Sequence, residues 1–183
     1  MSETHSIAKK IKKEDDDVEE LVLSYQKLTV LPALPPGLKR LYCRYNELTS
    51  LPLLPSGLEK LDCRYNKLTA LPPLPLGLKV LDCNYNKLTA LPPLPSGLEN
   101  LWCYDNKLTA LPPLPSGLKI LHWDFNKLKY KGTTIEEIRK EQEEERKNIW
   151  MANMIVYGKV KQEMGLCKET KLDWLVKNII SHF

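Results

Sequence analysis

What this chain lacks narrows its chemistry first. Histidine is scarce: His5, His122 and His182 stand far apart, and none pairs with an evident nucleophile. There is no glycine-rich phosphate loop, and no constellation of catalytic groups, so the expectation is a non-catalytic protein without a cofactor. No run of 18 apolar residues is present, which excludes a membrane-spanning helix. Residues 1–17 hold no apolar core of a standard secretory signal. Charge of one sign is also missing. Lys and Arg number 27 against 23 Asp and Glu, a net +4, well short of the balance of a nucleic-acid binder. The expected partner is therefore neither a nucleic acid nor a bilayer interior. Proline is absent after Pro115, although 14 prolines precede that point. The composition changes sharply there.

What is present is one phrase repeated. From Leu21 to Leu128 a 20-residue unit recurs six times without an insertion. Its second copy reads Leu38-x-x-Leu41-x-Cys43-x-x-Asn46-x-Leu48. The same columns return as Leu58, Leu61, Cys63, Asn66 and Leu68, as Leu78, Leu81, Cys83, Asn86 and Leu88, and as Leu98, Leu101, Cys103, Asn106 and Leu108. The end copies are degenerate, with Gln26 in the Asn column of the first and Trp123 in the Cys column of the last. End repeats face solvent on one side, so they are expected to differ.

Each column has a physical reason. Leu-x-Cys alternates with period 2, so Leu41 and Cys43 point inward from a short strand and Tyr42 and Arg44 point out. One such strand cannot bury its apolar face alone. Six stacked in parallel, about 4.8 Å apart, make a continuous core. Asn46, Asn66, Asn86, Asn106 and Asn126 follow the strands at a turn into that core, where a buried amide must be paired. This predicts an asparagine ladder joining coil to coil. The Pro-rich return path fits an extended polyproline-like segment and not a helix. Gly37, Gly57, Gly77, Gly97 and Gly117 mark the turn into the next strand, where a positive φ is expected.

Two rival readings of these columns are weaker. Cys43, Cys63, Cys83 and Cys103 share one interior column, and a straight column cannot supply tetrahedral zinc geometry. They read as small buried hydrophobes, suited to a reducing cytoplasm. The Pro-x-x-Pro segments could be ligands for proline-binding modules, but the convex wall already uses them.

The unit L-x-x-L-x-L-x-x-N-x-L resembles leucine-rich repeats. With 20 residues per coil and an LPxLPxxL run, it resembles the short bacterial-effector repeats of the YopM and IpaH type. Cys-containing repeats of giant viruses are similar. The likeness covers Leu21 to Leu128, somewhat over half the chain. It implies a leucine-rich-repeat solenoid that binds protein partners; the location expected is a reducing cytoplasm, that of an infected host cell included. The chain departs from those families at both ends. No apolar helical hairpin precedes the repeats. The IpaH-type ligase motif, a Cys followed two residues later by Asp, is not matched, since Cys167 is followed by Lys168 and Glu169.

Three segments are expected. Residues 1–17 are a polar arm in which Lys9, Lys10, Lys12 and Lys13 precede Glu14, Asp15, Asp16 and Asp17. Residues 18–128 form a right-handed solenoid of about six parallel strands with a polyproline-like convex side. Residues 129–183 are an α-helical C-terminal cap or arm. There Thr134-Ile-Glu-Glu137 is a capping box that starts a helix near Ile135. That helix should stop at Gly165, with another starting at Thr170. The cap reading has its apolar stretch, Ile149 to Met164, covering the last coil.

The outward strand positions vary while the inward ones do not, as on a binding surface. Tyr, Trp and Arg, the residues enriched at interface hot spots, gather there. The candidate partner-binding residues of the concave face are Tyr42, Arg44, Tyr45, Asp62, Arg64, Tyr65, Asp82, Tyr85, Trp102, Tyr104 and Asp124. The tyrosine column has a second reading, in which stacked rings shield the strand ends. The charge is expected to be graded, with Arg44 and Arg64 early and Asp105 and Asp124 late. The function expected is a protein–protein interaction scaffold. The alternative is a structural assembly component that self-associates through residues 133–183.

Overall fold

A computed structural model describes residues 18–163 of the 183-residue chain. The predicted second helix and Gly165 lie outside the described residues. Six three-residue strands appear at 20-residue intervals: β1 Glu20–Val22, β2 Arg40–Tyr42, β3 Lys60–Asp62, β4 Val80–Asp82, β5 Asn100–Trp102 and β6 Ile120–His122. They form one parallel sheet in sequence order, each strand paired with the next without a register slip. One helix, α1 (Ile135–Glu163), follows. The described residues divide after Arg139 into two units.

The expected alternation is present. Leu41, Leu61, Leu81 and Leu101 are fully buried, as are Cys43, Cys63, Cys83 and Cys103. So are Leu48, Leu68, Leu88 and Leu108, on the path leaving each strand. At about 1.5–3 kcal/mol for each fully buried leucine, this continuous column is what holds coil to coil. Burial pushes the thiols of Cys43 and Cys103 up to about 12 and those of Cys63 and Cys83 well above their ordinary range. They are protonated core atoms.

The asparagine ladder is also present. Asn86 Nδ2 donates to the carbonyls of Cys63, Cys83 and Asn84, each at 3.1 Å, and its Oδ1 accepts the Leu68 N–H at 3.0 Å. Asn46, Asn66, Asn106 and Asn126 repeat the arrangement, always serving their own coil and the one before.

One expectation fails. Glycine was to carry the positive φ, but Gly57, Gly77, Gly97 and Gly117 are not left-handed. Their turns close by a bond such as Leu58 N–H to Pro55 O (3.1 Å), in which no residue needs φ > 0. The left-handed positions are instead Lys27 and one column, Tyr25, Tyr45, Tyr65, Tyr85, Asp105 and Phe125, with φ of 49–61°. Here the chain must bend sharply to carry the next residue, the ladder asparagine, into the core. A bulky residue is disfavoured there. It is held because the backbone is pinned across coils: Tyr45 N–H donates to Arg64 O and Asn46 N–H to Tyr65 O. The surroundings over-determine the strained conformation.

Beyond the coils, the capping box forms as read. Thr134 Oγ1 accepts the Glu137 N–H, and Glu137 Oε2 accepts the N–H groups of Thr134 and Thr133. The end of the core is covered by this first turn. Ile138 is fully buried, Tyr130 and Ile135 pack on the same cluster, and Arg139 donates to the carbonyls of Pro115 and Ser116. Farther along α1, Ile149, Met151, Ile155 and Val156 are exposed. Leu53 and Leu76, which stand where other coils have Pro and Ser, are also open to solvent, at 81% and 88%.

Candidate functional site

The strands and the residues just after them build the face expected to be concave, and its two ends differ. At the early end the charges are closed on each other. Arg64 reaches Asp82 at 3.1 Å and Asp62 at 3.4 Å, and Arg44 reaches Asp62 at 3.9 Å. Asp62, expected to face the hollow, is buried beneath the two arginines at 5% exposure. Its pKa is raised, first by burial, against the lowering pull of Arg64 and Arg44. Burial raises Asp82 likewise. The Nε protons of Arg44 and Arg64 are buried without a hydrogen-bond acceptor, although Arg64 Nε has Asp62 as a charge neighbour. The positive early end expected from the sequence is thus largely neutralised from within. Tyr42 is half-buried, with the Lys60 ammonium 5.1 Å from its ring centre.

The tyrosine column stacks along the solenoid. Tyr25 on Tyr45, Tyr45 on Tyr65 and Tyr65 on Tyr85 have ring centres 4.4, 4.3 and 4.1 Å apart and planes within 12°. Their faces are occupied by one another, so Tyr45, Tyr65 and Tyr85 offer a partner only edges and hydroxyls. The hydroxyls interact too: Tyr85 raises the pKa of Tyr65 and Tyr104 raises that of Tyr85. The column breaks at coil five, where Asp105 takes the tyrosine place. Tyr104, one residue earlier, fills the gap, edge-on to both Tyr85 and Phe125 at 5.1 Å.

The late end is open. Trp102 is half-buried with no ring partner among the described residues. Asp105, His122, Asp124 and Phe125 are exposed, Phe125 at 72%. Neither Asp105 nor Asp124 meets a cation at ion-pair distance among the described residues. Phe125 was missed as a binding candidate because it sits in what looked like the structural aromatic column. The signal was that column's interruption at Asp105.

A profile described as "Leucine Rich repeats (2 copies)" matches residues 36–76 and again 76–116. Residues 36–116 carry leucine-rich repeats, and their 20-residue coils are similar to the repeats of bacterial effector proteins. Solved repeat proteins agree. YopM from Yersinia enterocolitica is 45% identical with a TM-score of 0.56, and the match covers 56% of this chain and 23% of that one. YopM from Yersinia pestis, described as a leucine-rich effector protein, is 39% identical at TM-score 0.59, over 60% of this chain and 32% of that one. A Shigella effector leucine-rich-repeat domain is 37% identical at TM-score 0.64, over 73% of this chain and 60% of that one. The chain thus spans about a quarter to three-fifths of the length of these proteins. No curated protein sequence matches it. No helix among the described residues is long and apolar enough to cross a membrane. Nor do those residues hold a His, Cys, Asp and Glu cluster that could bind a metal ion.

Proposed function

We propose that this leucine-rich-repeat solenoid is a non-catalytic scaffold that binds a protein partner on its concave face. The observation that carries the reading is the open late end. Trp102, Tyr104 and Phe125 present aromatic surface beside the carboxylates of Asp105 and Asp124, which lack cations among the described residues. Aromatic anchors beside unpaired charge are what hot spots are made of. A partner would present a basic group there. The non-catalytic half is supported by the four thiols among the described residues, which are buried and protonated and so poor nucleophiles. Six strands span about 24 Å, so the contact suits one helix or loop.

The test is affinity capture from the native host with wild type beside Trp102→Ala/Tyr104→Ala. Loss of a specific partner with an unchanged far-UV spectrum is expected. Capture that survives both substitutions would move the site elsewhere. The exposed Ile149, Met151, Ile155 and Val156 on α1 favour a second reading, self-association through the C-terminal segment. It requires that sedimentation detect assemblies that vanish when residues 140–183 are removed.

A further inference from the structure

Two columns of charge run along the outside of the solenoid, and only one is balanced. The first is Glu19, Lys39, Glu59, Lys79, Glu99 and Lys119, alternating without exception. It closes into the pairs Lys39–Glu19, Lys79–Glu59 and Lys119–Glu99. The second, immediately after the ladder asparagines, is Lys27, Glu47, Lys67, Lys87, Lys107 and Lys127. It alternates for three coils, with Lys67 and Glu47 paired at 2.8 Å, and then turns wholly basic. In the last coil Lys129 joins it, where earlier coils have threonine. Lys87, Lys107, Lys127 and Lys129 are all exposed, and none meets a carboxylate at ion-pair distance among the described residues.

Neighbouring coils lie about 4.8 Å apart. Unit charges at that spacing repel by about 1 kcal/mol even in water, before the side chains splay. The first column avoids this cost, and the second incurs it in the same three coils. Thr89 and Thr109 add exposed hydroxyls on the same side, since the residues between them and the lysines, Leu88 and Leu108, point into the core.

We propose that Lys87, Lys107, Lys127 and Lys129 form an anion-binding row on the lateral face that takes a run of carboxylates on an acidic polypeptide segment. The row lies off the concave face, so the inference does not depend on the function proposed above. A nucleic acid fits less well, because single strands need successive aromatic faces along the charged row for stacking, and the exposed residues beside it, Thr89, Ala90, Thr109 and Ala110, are not aromatic. A membrane surface fits less well because the exposed neighbours are Thr89, Ala90, Thr109 and Ala110, which offer no apolar wedge. Lysines act as mobile point charges. They suit carboxylates on alternate residues of an extended strand, about 6.5–7 Å apart.

The test uses a labelled oligoglutamate peptide, with a single-stranded oligonucleotide and phosphatidylserine vesicles as rival probes, on the full chain. Binding of the peptide should fall at least about tenfold as salt rises from about 0.1 to 1 M, which cuts the screening length from about 10 to 3 Å. Lys107→Glu sets a carboxylate between Lys87 and Lys127, so that the last three coils of the second column alternate. It should lose peptide binding by at least about tenfold while the urea midpoint stays or rises, because an exposed opposite-charge pair adds a few tenths of a kcal/mol. Lys79→Glu makes the same change of net charge in the balanced column and should keep most of the binding. Equal loss in both variants, a lowered midpoint for Lys107→Glu, or tighter binding of the oligonucleotide or vesicles would each overturn the proposal.

Discussion

Replacing Asn86 with Ala tests the ladder at its centre. The side chain gives Leu68 N–H its acceptor at 3.0 Å, and Leu68 is fully buried. Truncation leaves that donor orphaned, at about 1–3 kcal/mol. The carbonyls of Cys63 and Cys83 each keep one amide donor, from Asn66 and Asn106, and lose the other. Those two losses cost about 1 kcal/mol each. The sum is about 3–5 kcal/mol, a large share of a typical total of 5–15. With a urea slope near 2 kcal/mol/M the midpoint should fall by roughly 2 M. Asn126→Ala, at the half-buried end of the ladder, should cost less, about 1–2 kcal/mol, because water reaches its partners. Asn86→Asp keeps the acceptor but turns a carboxylate oxygen toward carbonyls. Its folded pKa is therefore raised, and the variant should regain stability below the unfolded carboxylate range and lose it as pH climbs through the folded value. The assay is equilibrium urea unfolding followed by circular dichroism. A cost for Asn86→Ala below about 1 kcal/mol, or equal costs at Asn86 and Asn126, would refute the account of the ladder.

Two further outcomes follow from the fold. Gly97→Ala should be tolerated or stabilising by about 0.4–1 kcal/mol, since a Cβ there meets nothing within 4 Å and φ is not left-handed; a clear loss in the urea midpoint would show that this turn needs glycine. Asp62 has a pKa raised above 3.8, mainly by burial. Being raised, it favours the folded state most below 3.8 and loses that contribution as pH rises through its folded value. In that window wild type should therefore lose stability relative to Asp62→Asn as pH increases, and the opposite slope in paired urea titrations would contradict its burial under Arg44 and Arg64.

The solenoid was legible because packing imposes its period directly on the sequence. Leu, Cys and Asn recur where an apolar interior and a paired amide are obligatory, and the structure puts them there. The left-handed bend was not legible. Residue preference points to Gly57 or Gly97, but the conformation at Tyr45 and Tyr65 is set by hydrogen bonds from adjacent coils, which local propensity does not contain. Asp62 illustrates the same limit. Period 2 alternation points it outward, and says nothing of Arg44 and Arg64 folding over it. Ile138, fully buried in the core cluster, was not legible because it stands in a mostly charged run.

The alternation from Glu19 to Lys119 limits how such an array can change length. Duplicating or deleting one 20-residue unit would set Glu against Glu or Lys against Lys at the new junction, whereas a 40-residue step preserves the order. In this column the smallest unit that can be copied without setting like charges side by side is two turns, so it favours arrays that differ from one another by even numbers of turns.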